Sequence, residues 1–220
     1  MRYPSFLQKQ GTIGFVAPSF GCAEPPYKTA FLHAQEKLAE SGYKLELGPN
    51  CYAREGIGIS NTPEKCGEEL NDFLCSDKSD VLISCGGGEL MCEVLDYVDF
   101  DRIRKAEPKW YMGYSDNTNL VFLLTTLCDT AAVYGPCAGS FGMEPWHESI
   151  QDALDLLRGK KLVMKGYDTW EKEPLKSEEN PLVPYHLTEK RILRCFPEGD
   201  SSFSGRLIGG CMDCLVNLLG

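Results

Sequence analysis

The sequence predicts an α/β fold, a doubly wound, mainly parallel sheet followed by the start of a second, smaller domain. Three observations predict it. From residue 12 to residue 158, short apolar runs alternate with segments of helical period. Two of those runs empty into unusual turns, the glycine triplet 86–88 and Ser115, where a sheet of this kind gathers its functional groups at the carboxyl ends of strands. Beyond residue 160 the alternation stops, and a charged, proline-containing stretch leads into new apolar runs.

Thr12–Ala17 is an apolar run with the character of a buried strand, broken by Pro18-Ser19. Tyr27–Glu40 carries Ala30, Phe31, Ala34 and Leu38 at helical spacing, and Ser41-Gly42 closes it. Tyr43–Leu47 is a second strand. Thr62-Pro63-Glu64 then starts a helix that reaches about Ser76, with a capping hydroxyl before a proline at the first helical position. Asp80–Ser84 is a third strand; a helix over Leu90–Tyr97, a polar connection and a strand ending at Met112 follow. After the serine turn come a helix from about Asn117 to Leu127, a strand over Ala131–Tyr134 ended by Gly135-Pro136, and a helix from about Glu148 to Arg158. This order divides the chain into an α/β domain over 1–160, a linker over 161–184 and an incomplete second unit over 185–220. In that unit Ile192–Phe196 and residues 205–210 read as strands, and Cys211–Leu219 as the beginning of a buried helix.

Composition narrows the function. The 220 residues include 32 acidic and 22 basic side chains, a net charge of −10, which opposes binding to nucleic acid or an anionic membrane through long-range repulsion. The N-terminus lacks an apolar signal core, and no run approaches the roughly 18 apolar residues of a membrane span. A cytoplasmic protein is expected. The eleven cysteines, among them Cys195, are scattered, many in apolar surroundings where a free thiol packs as a small hydrophobe. Cys211 and Cys214 have CxxC spacing, but no second pair of ligands stands at a distance suited to tetrahedral zinc, so neither a metal nor another cofactor is expected.

The chemistry centres on Gly113-Tyr114-Ser115-Asp116. A sharp strand-to-helix turn lifts a hydroxyl clear of the sheet, and the helix N-terminus behind it favours developing negative charge, so Ser115 is the candidate nucleophile. Serine at such a place is also a common helix cap, and Asn117 stands where a GxSxG motif has its last glycine. In acyl transfer the N–H of the residue after the nucleophile, Asp116, is the first oxyanion donor, and Gly87 or Gly88 can supply the second. Read as a phosphate cradle, Gly86-Gly87-Gly88 lacks both GxGxxG spacing and a Gly-Lys-Ser/Thr ending. A nucleophilic serine needs a base and a group to orient it. His33, His147 and His186 lie in segments that do not suit that task, and Lys109, a conceivable Ser-Lys partner, precedes its strand.

Several of these residues recur in order in one known family. Val16-Ala17-Pro18-Ser19, Glu69–Phe73, Gly87-Gly88, Pro108-Lys109, Gly113–Asp116, Gly135-Pro136 and Gly209-Gly210 together make the chain resemble the LD-carboxypeptidase family of serine peptidases, which includes the microcin-immunity peptidases. The resemblance spans nearly the whole chain. It implies a flavodoxin-like N-terminal domain, a Ser115 nucleophile, an oxyanion region at Asp116, Gly87 and Gly88, and cleavage of an L,D-peptide bond with release of terminal D-alanine from a muropeptide. Action on peptide-nucleotide antibiotics is the family's other activity. It further implies that the triad Glu and His follow the segment matching Gly209-Gly210, so they are expected in a C-terminal part that this chain lacks. On that expectation the chain alone is inactive and exposes an apolar docking patch through which it can self-associate, for instance as a homodimer. The other expectation is a non-catalytic module that binds a small peptide. In many family carboxypeptidases an arginine precedes the paired glycines and an aromatic follows them; here Gly86 and Glu89 hold those places.

Overall fold

The computed structural model describes residues 1–194, 196, 199 and 202–219. Five strands, β1 (Thr12–Val16), β2 (Lys44–Leu47), β3 (Val81–Ser84), β4 (Trp110–Gly113) and β5 (Val133–Tyr134), form one sheet in the order β2-β1-β3-β4-β5. Every neighbouring pair is parallel. Helices α1 (Tyr27–Glu40), α2 (Pro63–Cys75), α3 (Phe100–Lys105) and α4 (Thr118–Thr126) lie in the crossovers, and with α5 (Glu148–Leu157), which follows β5, the helices cover both faces. The predicted α/β class with a doubly wound parallel sheet is the observed one.

Alternation along the strands divides the interior into two cores. On one face Ile13, Phe15, Val81, Ile83, Trp110 and Met112 pack against Phe31, Ala34 and Leu38 of α1 and Ile150, Leu154 and Leu157 of α5. On the other, Val16, Leu82 and Tyr111 meet Leu70 and Phe73 of α2 and Leu120, Val121 and Leu124 of α4. Both faces are buried, so the central strands read as continuous apolar runs. Trimming a core leucine such as Leu70 or Leu82 to alanine would cost about 2–5 kcal/mol.

The structure differs from the sequence reading where elements are short. Met91–Tyr97 is a 3₁₀ helix, not an α-helix, with Met91 and Val94 buried three residues apart as that repeat requires. α3 occupies part of the expected polar connection, capped by the Asp99 carboxylate, which accepts from Arg102 N–H at 2.8 Å. A further 3₁₀ turn spans Ala138–Gly142. Within residues 160–190, β6 (Thr169–Trp170) pairs antiparallel with β7 (Glu189–Lys190). The expected strand at 205–210 is absent, as is any strand over 192–194; Cys195, in that same expected strand, lies outside the described residues. α6 (Met212–Asn217) forms as expected but is not buried: Cys214 is its one buried residue. No helix among the described residues is long and apolar enough to cross a membrane.

Candidate active site

Ser115 sits where β4 gives way to α4. Tyr114 is extended (φ −129°, ψ −178°), Ser115 turns to φ +59°, and a 3₁₀ turn over Ser115–Asn117 feeds the helix. A non-glycine residue in the left-handed region stores backbone strain, and such strain gathers at functional turns. Gly113 is required locally: a Cβ there would lie 2.7 Å from Asn117 Cγ, because the asparagine side chain folds back beneath the turn. Ser115 is half-buried, its N–H donates to Tyr134 Oη at 3.0 Å, and its Oγ has no hydrogen-bond partner among the described residues.

The glycine loop after β3 adjoins this turn. A Cβ on Gly87 would stand 3.1 Å from Ser115 Cβ and 3.4 Å from Ser115 Oγ; one on Gly88 would meet Ser19 Oγ at 2.3 Å and Gly58 O at 2.8 Å. Close approach, not positive φ, is what demands glycine here, for Gly86, Gly87 and Gly88 all keep ordinary backbone angles. Gly87 O accepts from Phe20 N–H at 3.1 Å, tying the loop to the segment after β1. The N–H groups of Gly87, Gly88 and Asp116 donate to no atom among the described residues.

Buried polar side chains hold the three segments in register. Asp116 Oδ2 accepts from Ser19 Oγ (2.7 Å) and Met91 N–H (3.0 Å), and Oδ1 from Asn119 Nδ2 (3.1 Å). Burial raises the Asp116 pKa, and these donors partly offset it. The Asp116 carboxylate therefore faces inward as a structural clasp. Asn117 accepts from the Tyr111 hydroxyl and donates from Nδ2 to Gly86 O (2.8 Å) and Tyr114 O (3.1 Å), joining strand, glycine loop and serine turn. Glu69, on α2, accepts from Ala17 N–H (2.7 Å) and Asn50 N–H (2.9 Å), fixing the chain beyond β1 and β2; burial pushes its pKa up to about 7.

These turns border a cavity of about 530 Å³ at the carboxyl ends of the strands, between the segments after β1 and β3, where the winding of the sheet reverses. Ser115, Gly87, Gly88, Tyr114, Glu89 and Lys176 are among its walls. The histidines are elsewhere: His33 Nδ1 meets Gly142 O at 2.8 Å, His147 caps α5 by accepting from Ser149 N–H at 3.2 Å, and His186 is not in the wall. Lys109 caps α2 at the opposite end of β4, donating to the carbonyls of Phe73 (2.7 Å) and Ser76; burial lowers its pKa. Cys22, Cys85 and Cys137 lie beneath the cavity as buried thiols, Cys137 pushed up to about 12 by burial. No group of three or more His, Cys, Asp or Glu among the described residues is placed to hold a metal ion.

The structure thus brings together Ser115, Asp116, Gly87 and Gly88. Sequence reasoning missed the supporting roles: Ser19, quoted only within the Val16–Ser19 resemblance, and Tyr134 are distant in sequence from the turn, and Asn117, seen only as a departure from GxSxG, ties the turn to the loop. It also missed the return of the late segment, where Cys211 N–H donates to Thr118 Oγ1 at 2.8 Å and Gly210 passes so close that a Cβ would lie 2.4 Å from Thr118 Cγ2.

Comparison with known proteins matches residues 13–135 to the family described as LD-carboxypeptidase N-terminal domain. The microcin C7 self-immunity protein MccF of Escherichia coli is 28% identical over 217 residues, covering 95% of this chain and 61% of that protein. A Vibrio cholerae protein with a provisional carboxypeptidase name is 26% identical over 228 residues, covering 100% of this chain and 65% of its own length. The structure of MccF in complex with aspartyl sulfamoyl adenosine superposes with a TM-score of 0.83 at 24% identity, over 100% of this chain and 66% of that one. The chain spans less than two thirds of the length of these relatives. With the serine turn, the glycine loop and the sheet order all inside or bordering the matched residues, the chain belongs to the LD-carboxypeptidase family.

Proposed function

We propose that the protein is a serine carboxypeptidase that cleaves an L,D-peptide bond and releases terminal D-alanine from a muropeptide in the cytoplasm. One observation carries the reading: the unpartnered Ser115 hydroxyl, on a strained turn at a helix start, opens into the cavity beside Gly87. In this reading Ser115 Oγ attacks the scissile carbonyl carbon and its proton passes to a general base. The oxyanion is held by the N–H groups of Asp116 and Gly87, with Gly88 alongside. Collapse breaks the C–N bond as the base returns the proton to the leaving amine, and water then hydrolyses the acyl-enzyme. Among the described residues no histidine lines the cavity; in this reading the general base and its orienting carboxylate are supplied by a C-terminal part, of which 185–220 is the beginning.

Two other readings each rest on one observation. The 28% identity to a microcin self-immunity protein favours a peptide-nucleotide substrate. The absence of a histidine from the cavity wall, among the described residues, favours a module that binds a peptide without turnover. The deciding experiment measures D-alanine release from a tetrapeptide muropeptide by this chain, by a form extended to the length of its relatives, and by the extended Ser115→Ala variant. Release by the extended wild type alone is expected, the variant falling by about 10³-fold or more. Equal release by the Ser115→Ala variant would overturn the assignment.

A further inference from the structure

The cavity wall carries four charged side chains, Glu24, Arg54, Glu89 and Lys176. Arg54 is committed to an ion pair with Glu24. Lys176 is different: it has neither a salt bridge nor a hydrogen-bond partner among the described residues, and it is half-buried in the same cavity as Ser115. A partly dehydrated ammonium without a counter-ion is costly unless a ligand supplies one. Burial lowers its pKa accordingly.

Its position is built, not incidental. Lys176 belongs to the segment between α5 and β7, which is fastened to the α/β layer on both sides of it. Tyr167 Oη donates to Asp152 Oδ2 at 2.8 Å, Lys161 Nζ reaches the same oxygen at 2.5 Å, and Glu144 N–H donates to Leu182 O at 2.8 Å. The ring of Tyr185 packs on the core, 5.4 Å from that of His147. The turn directly after Lys176 is closed by Ser177, whose Oγ accepts from Asn180 N–H at 3.2 Å. The segment is a strap anchored at both ends, and Lys176, between its fastenings, is its residue in the cavity wall.

We propose that Lys176 is a substrate-recognition residue, whose ammonium pairs with the terminal carboxylate of a peptide lying with its scissile carbonyl at Ser115. The inference rests on the serine-carboxypeptidase reading and gives it a source of exopeptidase selectivity. A peptide that continues past the scissile residue places no carboxylate at the strap and leaves the ammonium unpaired. Glu89 shares the cavity, so one negative group on the substrate is matched and a dense cluster of them is repelled.

The test uses the protein at the full length of its relatives, with N-acetyl-L-lysyl-D-alanine and its C-terminal carboxamide as probes. Wild type is expected to prefer the acid, and Lys176→Met to raise KM for the acid by about 10- to 100-fold, the range of a charge-assisted hydrogen bond. Little change in kcat is expected, and none with the amide; Lys176→Arg retains most of the preference. A Lys176→Met protein with wild-type KM and acid preference overturns the role while Ser115-dependent hydrolysis stands. Should neither probe be hydrolysed in a Ser115-dependent way, the peptidase reading fails separately, and calorimetry on Ser115→Ala decides the lysine. Tighter binding of acid than amide, lost in Ser115→Ala/Lys176→Met, supports it; equal binding of both probes overturns it.

Discussion

A single methyl group added at Gly87 would touch the side chain on which the proposed chemistry depends. Its Cβ would sit 3.1 Å from Ser115 Cβ and 3.4 Å from Oγ, so the serine must shift by a few tenths of an ångström. Gly87→Ala in the extended protein is expected to lower kcat by about 10²-fold, as small misplacements of reacting groups do, with little change in thermal unfolding. Gly88→Ala differs: its Cβ would meet the Gly58 carbonyl oxygen at 2.8 Å, a backbone atom that cannot swing away, so stability falls together with activity. Wild-type kcat in Gly87→Ala would contradict the placement of the oxyanion donors. Ser115 and the glycine loop were legible in the sequence because each is a local turn signal. Tyr134 and Ser19 were not, since only the fold brings a residue after β4 or β1 against the turn.

Among the elements, α2 with Glu69 and the 3₁₀ turn into α4 with Asp116 and Asn117 hold buried polar supports of the site. Asn117→Ala would strip the buried Tyr111 hydroxyl of its acceptor and Gly86 O of one of its two donors, Ser84 Oγ being the other, and is expected to cost about 2 kcal/mol or more in denaturant unfolding. Glu69 makes stability depend on pH. Its folded pKa, about 7, is above the unfolded value of about 4.5, so the native state binds more protons between those values. Stability from this group is therefore full below about pH 4.5 and lost as pH rises through 7, a swing on the order of 3 kcal/mol. Urea unfolding of wild type and Glu69→Gln across pH 4.5–8 should show their difference changing in that sense; parallel curves would exclude a titrating Glu69. The boundaries of α1 and α2 were readable because apolar spacing, Thr62 and Pro63 are local. α3 and the β6–β7 ribbon escaped notice, and the helix expected over Leu90–Tyr97 was read without its 3₁₀ repeat, because elements this short draw their stability from tertiary contacts.

At the scale of the whole molecule, the α/β layer is closed by two cores, while the described residues beyond 190 leave large apolar side chains exposed. Ile192, Leu193, Phe203, Leu207, Met212 and Leu219 are each more than 70% exposed, an apolar surface out of keeping with a settled solvent face. The 220-residue chain is expected to self-associate in light scattering, and the extended form to do so less; a monodisperse monomer at high concentration would contradict this. The sequence announced the change of character after residue 160, but it misread the course of the chain there. Residues 205–210 run as irregular backbone instead of as a strand, and the chain is fastened at its end, where Gly210 and Cys211 meet Thr118 at the start of α4. Whether the protein, extended to the length of its relatives, is a serine peptidase is answered most directly by treating it with a fluorophosphonate and locating the adduct by peptide mass spectrometry. A single adduct on Ser115, absent in Ser115→Ala, is expected; an unmodified Ser115 in a protein that still releases D-alanine would contradict the nucleophile assignment.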